Sequence, residues 1–172
     1  MTLSEDVRQR VRDVKDFPKP GIVYKDITPI LQCPTTVARV SDWLSQAAPP
    51  NIDAIVGIES RGFLFAAALC ERLEASFVPA RKAGKLPWNT IQTSYSLEYG
   101  EATLEMHRDA IRPGDRVLVV DDLLATGGTA RAACALVTEL GGEAVGALFL
   151  IELAFLKGRA ALDVPVKALV TY

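Results

Sequence analysis

The 172-residue sequence predicts an α/β fold: a mostly parallel central sheet flanked by helices. Three observations predict it. Short apolar runs at 52–58, 77–80, 117–120, 147–151 and 164–170 read as strands, and the Val-rich run at 117–120 has no polar face, as in a strand covered on both sides. Apolar or Ala-rich helical stretches at 63–73 and 130–140 separate them. Three of the strands end in polar loops, and open α/β sheets bind ligands beyond the carboxyl ends of their strands.

Composition narrows the classes. A chain 49% hydrophobic and 23% charged is long enough to bury a core as one domain, residues 1–172. A net charge of −2 argues against a general polyanion binder, so nucleic acid is not the expected partner and any anion site is local. Cys33, Cys70 and Cys134 are odd in number and widely separated, which suits free thiols in the cytoplasm. The polar start MTLSEDVRQR is no signal peptide, and no apolar run approaches the ~20 residues of a membrane span.

Taken in order, Ser4 is positioned to cap a first helix in which Val7, Val11 and Val14 recur at helical spacing, ending near Asp16. Prolines and Gly21 then break regularity, and residues 22–29 form a short extended piece. A helix at 35–48 carries Val37, Val40, Leu44 and Ala47 on one face and stops at Pro49-Pro50. The strand at 52–58 leads to Glu59-Ser60-Arg61-Gly62, and the strand at 77–80 leads to Arg81, Lys82 and Lys85. These cations are candidates for a local anion site. Residues 86–100 lack a clear period until Tyr95 and return as a hairpin with 102–107; long loops of this kind are often lids. Glu105 and the sole histidine, His107, read as solvated or hydrogen-bonded sheet positions.

The most informative stretch is RVLVVDDLLATGGT, residues 116–129. A strand ends at Asp121 and Asp122, the loop Ala125-Thr126-Gly127-Gly128-Thr129 follows, and a helix from about 130 to 140 closes with Gly141-Gly142. Glycines let backbone N–H groups turn inward, and the helix start and threonine hydroxyls add positive potential and donors, which together cradle one phosphate monoester. Two carboxylates beside a phosphate need hydroxyls or a divalent cation opposite them, and a sugar phosphate supplies both. Taken alone, Asp-Asp is an ordinary strand end and Gly-Gly an ordinary turn; the whole string is more specific.

This string resembles the signature of the type I phosphoribosyltransferases, and VDDLLATGGT is similar to its form in the adenine-specific branch. FPKPGIVYKDITP, ESRGF, RKxGKLP and SYSLEYG with LEMHRDA resemble further segments of that family, so the resemblance runs from about 17 to 172. It implies the type I phosphoribosyltransferase fold, with a small N-terminal hood at about 17–33 and a flexible catalytic loop at about 83–101. It implies transfer of the phosphoribosyl group of phosphoribosyl pyrophosphate to adenine, giving AMP and pyrophosphate, with Mg²⁺, in a cytoplasmic homodimer. By that resemblance Ala125, Thr126, Gly127, Gly128 and Thr129 hold the 5′-phosphate, and Asp121 and Asp122 hold the ribose hydroxyls. Ser60, Arg61, Arg81, Lys82 and Lys85 meet pyrophosphate, and the backbone near Ser60-Arg61 is strained, with a non-proline cis peptide as in relatives. Val23 meets the adenine edge through its backbone and Lys25 lies near the base; many relatives carry Arg there, and Lys lacks its planar fork. Leu123 packs on the base or is simply a buried leucine. Glu98 is the catalytic acid of the loop and Tyr99 its covering aromatic. A 6-oxopurine or pyrimidine in place of adenine, and a regulator that senses phosphoribosyl pyrophosphate without chemistry, are the alternative readings.

Overall fold

A computed structural model describes residues 1–96 and 101–172. The chain forms two compact units, Met1–Trp43 and Leu44–Tyr172.

In the first unit, α1 (Leu3–Arg10) is capped by Thr2 rather than Ser4. Thr2 Oγ1 accepts from Glu5 N at 3.2 Å while Glu5 Oε2 accepts from Thr2 N at 2.7 Å, a reciprocal capping box. The helix ends at Arg10, not near Asp16. The valine spacing that suggested a longer helix is overridden by sheet pairing, since β1 (Arg12–Lys15) lies antiparallel to β2 (Val23–Asp26). Asp16, at φ 56°, turns the chain, and its carboxylate accepts from Gly21 N at 2.7 Å. Residues 22–29 are likewise not all extended. Asp26 accepts from both the N–H and the hydroxyl of Thr28 at 2.9 Å, which starts the short α2 (Thr28–Leu31) with Pro29 in its first turn. Buried Asp6 gathers Arg10 Nε at 2.7 Å, Thr36 Oγ1 at 2.9 Å and Arg39 Nη1 at 3.0 Å, linking α1 to the start of α3 (Pro34–Ala47).

The second unit holds a seven-stranded sheet of order β5-β6-β4-β3-β7-β8-β9. Its strands are β3 (Ala54–Ile58), β4 (Ser76–Lys82), β5 (Thr90–Ser96), β6 (Glu101–His107), β7 (Arg116–Leu124), β8 (Glu143–Glu152) and β9 (Val166–Thr171). Neighbours from β4 through β9 are parallel, and the β5–β6 hairpin joins β4 antiparallel. The mostly parallel sheet is thus as expected. All five residues of β3 are buried, as a strand covered on both faces requires. Helices α4 (Gly62–Leu73) and α5 (Gly128–Glu139) make the crossovers from β3 to β4 and from β7 to β8. Those crossovers run in opposite directions from the adjacent pair β3 and β7, so a crevice opens beyond the carboxyl ends of these two strands. The core beneath α5 joins Ala133, Leu136 and Val137 to Val117, Val119 and Phe149.

The strand β5 is longer than the sequence suggested. Within the span 83–101 expected as a flexible loop, Thr90–Ser96 pairs along its full length with β6. Its apolar signal is only Ile91 and Tyr95, both buried, with small polar residues between them. The three cysteines are free; burial pushes the Cys70 and Cys134 thiols up to about 11, whereas donation from the Thr36 hydroxyl lowers that of Cys33. Among the described residues no helix is long and apolar enough to cross a membrane.

Candidate active site

β7 does not stop at its acids. It continues through Asp121 and Asp122 to Leu124, so both carboxylates are built into a strand and inherit its rigidity. The chain then turns through residues 125–127, where Gly127 adopts φ 83° as the N-cap of α5. Gly128 and Thr129 therefore belong to the first helical turn rather than to the loop, and their N–H groups are among those a helix leaves without internal partners. A Cβ on Gly127 would run into the Gly158 carbonyl oxygen, and one on Gly158 into the Ala125 carbonyl oxygen. These two glycines interlock the phosphate turn with the 3₁₀ turn Gly158–Ala161. That turn is fixed by Arg159, whose Nε and Nη2 each donate at 2.7 Å to the buried Glu152 carboxylate. A cavity of about 70 Å³ lies in this turn, lined by Asp121, Leu123 and residues 125–129.

α4 begins against the same acids. Gly62 packs so closely that a Cβ there would lie 2.8 Å from Asp121 Oδ1 and 2.9 Å from the Val120 carbonyl oxygen. Just before it, Arg61 Nε lies 2.9 Å from Asp122 Oδ2. Asp122 Oδ2 is buried and accepts no hydrogen bond among the described residues. Asp121 Oδ1 accepts from Asp122 N at 2.8 Å. Burial raises the Asp121 carboxyl well above the carboxylate range, and the charge of Asp122 adds to this. Asp121 is partly exposed and lines the small cavity, whereas Asp122 is buried. Burial also raises Asp122, and Arg61 opposes that shift. Arg61 thus compensates the charge of Asp122, and Asp121 is the member of the pair that meets the cavity.

The second half of the site is the end of β4, which pairing with β6 carries past residue 80 through Arg81 and Lys82, and the basic loop that follows. Arg81 Nε donates to Glu59 Oε2 at 3.0 Å, Lys82 N donates to the same oxygen at 3.0 Å, and Arg81 Nη1 donates to the Lys85 carbonyl at 3.3 Å. The Glu59–Ser60 peptide is cis, which agrees with the expected special backbone at this loop. Ser60, Lys82 and Lys85 are exposed. A cavity of about 620 Å³ brings Lys82 together with Tyr95, Glu101, Thr103 and Thr129. Thr129 Oγ1 donates to Tyr95 Oη at 3.2 Å, which ties the hairpin to the phosphate turn.

The likeness to known proteins follows this geometry. The model of the phosphoribosyl transferase domain matches residues 23–169. The adenine phosphoribosyltransferase of Thermobifida fusca is 56% identical over 163 residues, 94% of this chain and 93% of that protein. The chain belongs to the adenine phosphoribosyltransferase family. The crystal structure of the Thermoanaerobacter pseudethanolicus adenine phosphoribosyltransferase matches with a TM-score of 0.96 and 46% identity, covering 99% of this chain and 100% of that one. The Saccharomyces cerevisiae adenine phosphoribosyltransferase, complexed with D-2,5-dideoxy-2,5-imino-altritol 1,6-bisphosphate and adenine, matches with a TM-score of 0.92 and 41% identity, over 97% of this chain and 98% of that one.

Measured against the residues expected for an adenine phosphoribosyltransferase, the second unit gathers Asp121, Leu123 and residues 125–129 around one cavity, with Arg61 on Asp122. Lys82 and Thr129 share the larger one. In the first unit, exposed Val23 begins β2, and Lys25 Nζ donates to Asp13 Oδ1 at 2.7 Å. Glu98 and Tyr99 lie outside the described residues. Glu105 is hydrogen-bonded as expected, and His107 ends β6 half-buried, a sheet position as expected, although its Nε2 is buried with no hydrogen-bond partner among the described residues. Sequence reasoning missed Glu59, Gly62, Tyr95 and the Glu152–Arg159 clamp. Only Gly62 carried a local signal, as a glycine after a polar loop at the start of a helix.

Proposed function

We propose that this protein transfers the phosphoribosyl group of phosphoribosyl pyrophosphate to adenine, releasing AMP and pyrophosphate in purine salvage. The observation that carries the reading is a glycine-capped helix start and the Asp121 carboxylate lining one small cavity, with Asp122 paired to Arg61 beside it, a phosphate grip next to a diol grip. The relatives are adenine phosphoribosyltransferases, and the yeast one holds adenine in its crystal.

In this reading residues 125–129 hold the 5′-phosphate, which turns remote binding energy into orientation of the sugar. Asp121 and Asp122 bind the ribose hydroxyls, and the negative charge that the pair retains favours the positive ring that develops as the bond from C1 to pyrophosphate breaks. The leaving oxygen takes the electron pair, N9 of adenine bonds to C1, and the N9 proton departs. Arg61, Arg81, Lys82 and Lys85, with the Ser60 backbone, neutralise the departing pyrophosphate. Glu98 exchanges the proton with the purine or supports the cationic ring, and Tyr99 covers the site. Val23, Lys25 and Leu123 receive the base.

Mg²⁺ fits this donor set through the substrate. Among the described residues no group of three or more His, Cys, Asp or Glu is placed to hold a metal. Asp121, which lines the small cavity, is the carboxylate of the pair placed to meet a cation carried in with the ribose hydroxyls. When bound, the ion supplies charge neutralisation to the pyrophosphate. The protein is proposed to act as a cytoplasmic homodimer.

A panel of adenine, 6-oxopurines and pyrimidines with phosphoribosyl pyrophosphate and Mg²⁺ tests the proposal. Adenine-dependent AMP formation is expected. Turnover confined to another base reassigns the substrate, and binding of phosphoribosyl pyrophosphate without turnover makes the protein a sensor.

A further inference from the structure

Glu105 lies in β6 against the basic turn that follows β4. The residue is 2% exposed, yet it carries a carboxylate. Its Oε1 accepts from the N–H groups of both Lys85 and Leu86 at 2.8 Å, and its Oε2 accepts from Gln92 Nε2 at 3.1 Å. Burial raises the carboxyl, but these donors outweigh it and the group sits below the ordinary carboxylate range, so it is an anion at neutral pH. Gly84, at φ 85°, makes the turn that lets consecutive N–H groups converge on one oxygen. The loop is pinned again where Ala83 N donates to the Thr103 carbonyl at 3.0 Å.

The consequence is a division of labour in the turn. Its backbone donors point inward to a fixed anion, while the Lys82 and Lys85 side chains are exposed, Lys82 toward the cavity shared with Thr129. These donors stabilise the anion where it lies, so the position of the turn depends on Glu105. We propose that Glu105 is a positioning residue for the pyrophosphate half of the site: it holds the turn at 84–86 so that Lys82 and Lys85 face the departing pyrophosphate. The inference rests on the pyrophosphate role proposed above for these two lysines.

AMP and pyrophosphate are titrated separately by calorimetry into the wild-type chain, Glu105→Ala and Glu105→Gln. Glu105→Ala is expected to weaken pyrophosphate binding by about tenfold or more, since small displacements of positioned groups cost this much, and to leave AMP binding unchanged within about twofold. The KM for phosphoribosyl pyrophosphate rises and that for adenine does not. Glu105→Gln is expected to restore most of the pyrophosphate affinity, because its amide oxygen still accepts the two backbone N–H groups and the Gln92 amide can turn over to accept from its nitrogen. Unchanged pyrophosphate affinity in Glu105→Ala overturns the proposal. So does a parallel loss of AMP affinity, or a glutamine variant no better than alanine, because either marks a purely structural role. Should Glu105→Ala lack a cooperative unfolding transition, Gln92→Ala removes one donor from the neighbouring strand. A loss of about threefold in pyrophosphate affinity is then expected, and no loss overturns the idea. Wild-type protein that binds neither ligand overturns this inference together with the proposed function; wild-type protein that binds both while the variants match it overturns this inference alone.

Discussion

Replacing Gly127 with valine probes the phosphate turn most sharply, because two independent costs fall on one residue. At φ 83° an L side chain is strained by ~1–2 kcal/mol, and a β-branched one by more. The new Cβ would also run into the Gly158 carbonyl oxygen and lie 3.0 Å from Ala161 Cβ, an overpacking worth ~1–3 kcal/mol. Together these give roughly 2–5 kcal/mol. The turn relieves the strain by leaving the conformation that aims its N–H groups inward, so AMP affinity falls at least about thirtyfold, at 1.4 kcal/mol per decade. Calorimetric titration with AMP, on protein shown folded by its urea transition, reads this directly. Gly141→Ala is the control: φ 88° imposes the same backbone strain at the other end of α5, with only Pro113 in contact at 3.4 Å, so stability falls while AMP affinity holds. A folded Gly127→Val protein that binds AMP within twofold of wild type refutes the assignment of the turn.

Asp121→Asn is expected to abolish turnover while raising the unfolding midpoint by about 1 kcal/mol equivalent, the usual exchange of stability for function at a strained site. The pH dependence has a definite sign. Burial raises the Asp121 carboxyl, so the folded chain keeps a proton that the unfolded chain releases; stability is full at low pH and is lost as pH rises from the ordinary value of 3.8 through the raised folded value. Asparagine removes that loss, so the gain is present at pH 7 and shrinks toward pH 4 in thermal unfolding. Glu98→Ala is expected to lower kcat far more than it weakens phosphoribosyl pyrophosphate binding, and an unchanged kcat removes Glu98 from the mechanism. Arg159→Ala leaves the buried Glu152 carboxylate without its bidentate partner, costing about 2 kcal/mol after allowance for the half-exposed arginine. Through the Gly158–Gly127 contact it also weakens AMP binding, which separates it from a remote stability mutant.

What could be read from the sequence was whatever local patterning enforces. The Val-rich run, the acid pair and the glycine turn at 116–129 lie within one strand–turn–helix unit, so their arrangement is dictated over a few residues and appears as expected. Even there the strand runs on to Leu124, since pairing with β8 carries it past the acids, and Gly128 joins the helix. The N-terminal unit was read less well. Val7, Val11 and Val14 keep helical spacing, but ladder bonds to β2 outweigh the weak propensity of residues 12–15. The strand β5 was hidden because Thr, Gln and Ser separate its two apolar residues, and its stability comes from the partner β6. Glu59, Tyr95, and the Glu152–Arg159 clamp act across tertiary contacts between segments distant in the chain, for which local periodicity holds no signal.

The central claim is that the backbone of residues 126–129 grips the terminal phosphate of the sugar. Following assigned amide resonances while ribose 5-phosphate is added tests it directly. The N–H signals of Thr126, Gly127, Gly128 and Thr129 should shift together and saturate with the binding isotherm, while those of Glu143 and Ala144 beyond the far end of α5 stay in place. Saturable binding that leaves these four signals unmoved would contradict it.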